Sequence, residues 1–125
     1  MQIEILVDSI RLTATLNESR TARQIASILP IEGRANTWGD EIYFDIPLRI
    51  DLSEDAIAEV AVGTLAYWPT GSALCIFFGP TPVSTGDKPR AYSPVNVFGR
   101  IDGDITELRS VSDGAMVVIR QTDVG

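Results

Sequence analysis

Four tryptophan and tyrosine side chains are concentrated in two short stretches of this 125-residue sequence, although aromatic residues make up only 7% of it. They are Trp38, Tyr43, Tyr67 and Trp68. Each combines a large apolar ring with a polar tip, so together they could line a pocket for an apolar or planar ligand with one or two polar handles. Rings of this kind also pack the open end of a β structure, and the sequence leaves both interpretations open.

One charged residue and one further aromatic residue extend this predicted pocket. Arg34 shortly precedes Trp38, and Phe78 ends an apolar run. We therefore predict that a ligand pocket is built from six residues, namely Arg34, Trp38, Tyr43, Tyr67, Trp68 and Phe78. The alternative interpretation of Arg34 is a solvated charge at the edge of a strand.

The residue types that are missing exclude several kinds of chemistry. The sequence contains no histidine, which removes the usual zinc ligand, the Ser-His arrangement and the commonest general base. Two pairs of acids, Asp40 with Glu41 and Asp102 with Asp104, stand beside glycines, where turn formation explains them. Cys75 has no partner for an internal disulfide and lies in an apolar run, as a core residue would. We therefore predict neither a metal nor a cofactor.

Acidic residues outnumber basic ones, with seventeen Asp and Glu against ten Lys and Arg and a net charge of −7. Lys88 is the only lysine. A chain of this charge repels phosphate backbones, so we expect no nucleic-acid partner. Residues 1–5 lack the charged and apolar regions of a signal peptide, and no apolar stretch approaches the ~18 residues of a membrane helix. These features predict a cytoplasmic protein that does not bind membranes.

The elements that must position the pocket residues are mostly strands. Apolar and polar residues alternate over 3–7 and 10–16, which predicts a hairpin, and over 42–46, which predicts another strand. Residues 73–78 form a continuous apolar run that is too short for a helix and is typical of a strand buried on both faces. The other predicted strands lie near residues 64–67, 95–101 and 116–120.

Two short helices complete the predicted elements. The first covers residues 22–29, with Ser19 or Thr21 as its cap. The second covers residues 105–111, where apolar residues recur at helical spacing. About eight strands and two short helices, in one domain over residues 1–125, favour a small barrel.

Residues 79–94 are predicted to form a long irregular loop. They contain four prolines and two glycines, which disfavour regular structure. Long loops in compact domains often carry function. This loop could therefore dock a protein partner.

Three segments, in order along the chain, resemble parts of a cyclophilin. Residues 62–66 resemble its GxLxM strand, and residues 71–78 resemble its GSQFFI strand. Residues 96–101, which read Asn-Val-Phe-Gly-Arg-Ile and are followed by Gly103, resemble its hVVFGxVxxG segment. This last match is the most specific, because the turn, the glycine and the helix that follows all fall in register.

The chain resembles even more closely the small prokaryotic cyclophilin-like proteins of unassigned function. Patterns typical of these proteins are found at residues 38–44, 66–69 and 76–82, so the resemblance covers nearly the whole chain. It implies a mainly β fold, a cyclophilin-like closed eight-stranded β-barrel capped by two short helices.

The resemblance also implies a candidate activity, peptidyl-prolyl cis-trans isomerisation. A cyclophilin lowers the ~18–20 kcal/mol barrier to rotation about the amide bond with an arginine beside an apolar proline pocket. That arginine lies in an FHR strand. Here residues 42–46 occupy the corresponding strand, and Asp45 stands near the position of the arginine. Arg34 is therefore the best candidate for a catalytic arginine in this chain.

Three functions remain open from the sequence. The leading hypothesis is a pocket that binds a small molecule or a proline-containing peptide segment. The second is an active isomerase that uses Arg34. The third is a protein-interaction subunit that uses the proline-rich loop at 79–94. The sequence predicts no particular oligomeric state.

Overall fold

The computed structural model describes residues 1–122 and contains ten strands, one α-helix and two 3-10 turns in that range. The strands are β1 (Gln2–Val7), β2 (Ile10–Leu16), β3 (Ile31–Arg34), β4 (Asn36–Thr37), β5 (Glu41–Asp45), β6 (Ile57–Glu59), β7 (Thr64–Trp68), β8 (Ala73–Phe77), β9 (Arg90–Asp102) and β10 (Met116–Gln121). The helix α1 spans Arg20–Ser27, and the 3-10 turns span Pro69–Gly71 and Thr106–Ser110. The fold is mainly β, as predicted. Residues 123–125 of the predicted 1–125 domain lie outside the described residues.

The helix α1 begins after Ser19, whose hydroxyl accepts a hydrogen bond from the Ala22 N–H at 3.1 Å. It buries Ile25 in the main core. The first predicted helix is thereby confirmed, with a start two residues earlier. The second predicted helix, at 105–111, is wrong in type, because the chain forms a 3-10 turn there. Leu108 is the one buried residue of that turn. A short α-helix depends on packing for its stability, and a single buried side chain provides little of it.

Nine strands follow one another in a hydrogen-bonded sheet, in the order β3-β10-β1-β2-β9-β7-β8-β5-β4, and β6 pairs with β9. The sheet begins on β3 and ends on β4, which are separated in the chain by Ala35 alone. No backbone ladder joins these two strands among residues 1–122. The predicted closed eight-stranded barrel is therefore not confirmed. The structure has ten strands and not the predicted eight. Two of them, β4 and β6, contain only two and three residues, too few to show a pattern in the sequence.

Strand β9 includes part of what the sequence predicted as a loop. The loop predicted at 79–94 ends at residue 89, because Arg90–Asp102 form one strand of 13 residues. The shorter loop is tied to this strand, since the buried Thr81 donates its hydroxyl hydrogen to the Arg90 carbonyl at 2.5 Å. The docking of a partner on this loop stays a prediction.

Alternation of side chains along the strands gives the sheet two buried faces. One face builds the main core, which includes Phe44, Tyr67, Leu74, Ile76 and Phe98. The opposite face carries a smaller group, here called the outer cluster, which consists of Val60, Ala66, Cys75, Phe77, Ala91 and Val95, with Tyr43, Trp68 and Val97 packed against it. The outer cluster forms the floor of a cavity.

Candidate functional site

A cavity of about 210 Å³ opens on the outer cluster. It is lined by Trp38, Glu41, Tyr43, Trp68, Cys75, Ala91, Tyr92 and Val95. Half of these side chains are aromatic and one is a carboxylic acid. They come from β5, β7, β8, β9 and the turn between β4 and β5. The register of the sheet therefore determines how they are spaced.

A two-residue turn brings Trp38 and Glu41 to the cavity. The Trp38 N–H donates to the Glu41 carbonyl at 2.9 Å, and the Glu41 N–H donates back to the Trp38 carbonyl at 3.2 Å. Gly39 has a φ of +59° at the first central position, the pattern of a type II′ turn, where glycine is preferred. The Asp40 N–H donates to the Pro80 carbonyl at 2.9 Å. These hydrogen bonds hold Trp38 and Glu41 side by side.

Tyr92 lies between the two tryptophans at the rim of the cavity. Its ring centroid is 6.2 Å from that of Trp38 and 6.1 Å from that of Trp68, with interplanar angles of 63° and 77°. In this edge-to-face geometry the positive edge of one ring meets the negative face of another. The Trp68 indole N–H donates to the Ser93 hydroxyl at 2.6 Å, which orients its ring. The three rings form a wall whose solvent-facing part, Tyr92, is 74% exposed.

Glu41 is the acidic residue of the cavity. Only 6% of its surface is exposed, and this burial raises its pKa from the ordinary value of 4.5 to about 7, although the neighbouring Cys75 thiol acts in the opposite direction. Among residues 1–122, no arginine or lysine nitrogen lies within 4.0 Å of its carboxylate. Glu41 is therefore a carboxyl group that changes its charge near neutral pH inside a largely apolar cavity.

Cys75 is the second titratable group on the floor of the cavity. It is 1% exposed, and burial raises the pKa of its thiol well above the ordinary value, with the charge of Glu41 raising it further. The raised pKa keeps the Cys75 thiol protonated at neutral pH, and the reactive form of cysteine is the thiolate. Cys75 therefore contributes a neutral, apolar surface to the cavity. Its prediction as a buried core residue is confirmed.

The structure brings three of the six predicted pocket residues to the cavity, namely Trp38, Tyr43 and Trp68. Tyr67 precedes Trp68 on β7 and therefore faces the opposite side of the sheet, where it is fully buried. The Tyr67 hydroxyl donates to the Leu48 carbonyl at 2.8 Å. Phe78 also packs in the main core rather than in the cavity.

Arg34 lies on β3, outside the cavity, and is exposed. Its guanidinium donates to the Gly114 carbonyl at 3.2 Å. Strand β3 packs against β5 through the Phe44 ring, which belongs to the main core, whereas the cavity lies on the opposite face of β5. The position of Arg34 corresponds to the alternative interpretation, a charge at a strand edge. Its catalytic role stays a prediction.

Sequence reasoning does not identify five of the eight cavity residues, namely Glu41, Cys75, Ala91, Tyr92 and Val95. Glu41 was explained by turn formation together with Asp40, but the central positions of the turn are Gly39 and Asp40, and Glu41 begins β5. Side chains alternate along a strand, so Glu41 and Tyr43 are expected on the same face of β5, and this pattern could have predicted Glu41 as a cavity residue. Tyr92 gave no such signal, because it fell inside the predicted loop.

Two other properties of the described residues bear on the site. Within residues 1–122, no three His, Cys, Asp or Glu side chains are grouped so that they could hold a metal ion. Over the same range, no helix has both the length and the apolar character needed to cross a membrane. The cavity itself offers four aromatic rings and one carboxyl group.

The family model described as Cyclophilin-like matches residues 1–120, and the chain belongs to this family. Among solved structures, the chain is similar to the solution structure of a hypothetical protein from Archaeoglobus fulgidus, with a TM-score of 0.79 and 41% sequence identity. This similarity covers 98% of the present chain and 95% of the other one. No curated protein matches the sequence significantly. The resemblance to cyclophilin-like proteins is thereby confirmed.

Proposed function

We propose that this cyclophilin-like chain is a binding module whose cavity holds one side-chain-sized group of a small molecule or of a peptide segment. The observation that supports this function best is the aromatic wall formed by Trp38, Trp68 and Tyr92. Burial of aromatic surface is favourable, yet Tyr92 leaves 74% of its surface exposed. A ligand that covers this ring would gain the burial that the folded chain alone does not provide.

The volume of the cavity limits the size of the group that it can hold. Pockets for drug-sized ligands measure about 300–1,000 Å³, whereas this cavity measures about 210 Å³. One amino-acid side chain or a small organic molecule fits this space, and the rest of a bound peptide would lie outside it.

Ligand binding is expected to change the tryptophan fluorescence of the protein. The chain contains two tryptophans, and both line the cavity, so the signal reports on this site. In a titration with small metabolites and proline-containing peptides, we expect a saturable change with at least one ligand. Replacing the exposed Tyr92 by alanine removes part of the wall but neither fluorophore. We expect Tyr92→Ala to weaken that ligand about fivefold, the equivalent of about 1 kcal/mol.

The matched control is Leu52→Ala, which removes an exposed apolar side chain outside the cavity. We expect its affinity to equal that of the unmodified protein. If no compound gave a saturable change, or if Tyr92→Ala and Leu52→Ala bound equally well, the aromatic cavity would not be the binding site.

The isomerase alternative has less support from the geometry. None of the described residues that line the cavity is an arginine or a lysine, and the candidate Arg34 donates to a backbone carbonyl elsewhere. In a protease-coupled assay on a Xaa-Pro peptide, we expect equal rates with and without the protein, even at high protein concentration. Acceleration that Arg34→Ala abolishes would instead establish the isomerase and contradict this expectation.

A further inference from the structure

We infer that the group held in this cavity is an organic cation of the alkylammonium class, with Glu41 as its counter-ion and Trp38, Trp68 and Tyr92 as its aromatic wall. This inference rests on the proposed binding function and specifies the chemistry of the ligand. Three features of the cavity support it, namely the ring geometry, the unpaired carboxyl group and the absence of positive charge among the lining residues.

The aromatic wall offers ring surfaces of the kind that attract ammonium groups. The faces of aromatic rings are negative, and they attract a cation that lies within about 6 Å of the ring centroid. The Tyr92 ring is turned by 63° and 77° from the two tryptophan rings, so the rings do not stack face to face, and all three line the same cavity. Tyr43 adds a fourth ring to the lining. Aromatic cages of this type recognise methylated and quaternary ammonium groups.

The Glu41 carboxylate lacks a cationic partner within the described residues. Glu4 provides the contrast, because its carboxylate pairs with Arg11 at 3.4 Å and with Arg120 at 2.6 Å. Glu41 is nearly buried, at 6% exposure, and has no such pair among residues 1–122. An ionised carboxylate in an apolar environment is strongly disfavoured unless it is paired. A bound ammonium ion would supply that missing partner.

The other groups around Glu41 add no positive charge. The titratable side chains that line the cavity with it are Tyr43 on β5, Cys75 on β8 and Tyr92 on β9, and burial keeps the thiol neutral. Asp40 precedes Glu41 in the turn, and its side chain lies against the segment that follows β8. The net charge of −7 also favours the approach of cations. The cavity is therefore expected to discriminate between ligands by their charge as well as by their size.

A pair of ligands with the same shape and different charge tests this inference. Choline and 3,3-dimethylbutan-1-ol differ in that a neutral carbon replaces the quaternary nitrogen. In a tryptophan fluorescence titration at about pH 8, where Glu41 is ionised, we expect saturable binding of choline. We expect the neutral alcohol to bind at least about tenfold more weakly. At about pH 5.5, where Glu41 is protonated, choline is expected to weaken at least about tenfold.

Two charge variants complete the test. Glu41→Gln is expected to weaken choline at least about tenfold and to reduce the preference for choline over the neutral alcohol by a similar factor. Glu32→Gln removes the same charge from an exposed site on β3 and is expected to change neither affinity. Equal binding of choline and the alcohol, or choline binding that is unaffected by Glu41→Gln, would overturn the inference but leave the proposed binding function standing. If choline, the neutral alcohol and every compound in the wider screen failed to bind, both the inference and the proposed binding function would be overturned.

The source of the ammonium group is distinguished by a third probe. A peptide that carries trimethyllysine presents the same cation on a chain. Tighter binding of this peptide than of choline would support a peptide-borne cation, and tighter binding of choline would support a free one. Equal affinity for the trimethyllysine peptide and a matched norleucine peptide, whose side chain is neutral, would count against the inference.

Discussion

Replacement of Glu41 by glutamine is expected to stabilise the protein by up to about 3 kcal/mol at pH 8 and to change its stability little at pH 4.5 or below. The pKa of Glu41 in the folded chain is about 7, above its ordinary value of 4.5, so the unfolded chain loses this proton first as the pH rises. The favourable contribution of the neutral carboxyl group is complete below pH 4.5 and is lost as the pH rises to about 7. Glutamine has the same size and does not ionise, so the variant avoids this loss.

Urea unfolding of both proteins at the two pH values measures this effect. Glu32→Gln, at an exposed position, serves as the control and is expected to lie within about 0.5 kcal/mol of the unmodified protein at both. A stability difference between Glu41→Gln and the unmodified protein that did not depend on pH would contradict the assigned environment of Glu41.

Replacement of Gly99 by alanine is expected to destabilise the protein by about 2 kcal/mol or more. Gly99 lies on β9 between two partner strands, opposite Leu16 on β2 and Leu65 on β7. A methyl group at this position would stand 2.7 Å from the Thr15 carbonyl oxygen and 3.3 Å from the Leu16 Cα. Because both neighbours are backbone atoms, the contact is relieved only if β2 and β9 move apart.

Gly86→Ala is the matched control for this substitution. No atom lies within 4 Å of the position that its methyl group would occupy, so we expect a change of less than about 1 kcal/mol. The midpoints of thermal unfolding of the two variants give the comparison. Equal midpoints would mean that β2 and β9 do not approach as closely as described.

Much of the fold could be predicted because many strands carry their pattern within a few residues. The alternation over 3–7 and 10–16 is local, and both segments are strands of the observed hairpin. The strands Asn36–Thr37 and Ile57–Glu59 contain two and three residues, too few for a periodic pattern. They exist because of their pairing with β5 and β9, and sequence alone does not show that pairing.

Less of the candidate site could be predicted, because its members are brought together by strand register. Tyr67 and Trp68 are adjacent in the sequence and look equivalent there, but their side chains lie on opposite faces of the sheet. Tyr92 reaches the two tryptophans because β9 extends back to Arg90, where the proline content indicated a loop. Glu41 resembles an ordinary turn residue until its burial is known.

The ionisation of Glu41, with and without choline, tests most directly whether this carboxyl group and the aromatic rings form one binding site. The ¹³C chemical shift of the Glu41 carboxyl group, followed by NMR from about pH 4 to 9, reports its protonation. We expect a midpoint near 7 in the free protein and a lower midpoint in saturating choline, because a bound cation favours the ionised form. A midpoint that saturating choline left unchanged would contradict the role of Glu41 as a counter-ion, and a midpoint near 4.5 in the free protein would contradict its burial in the cavity.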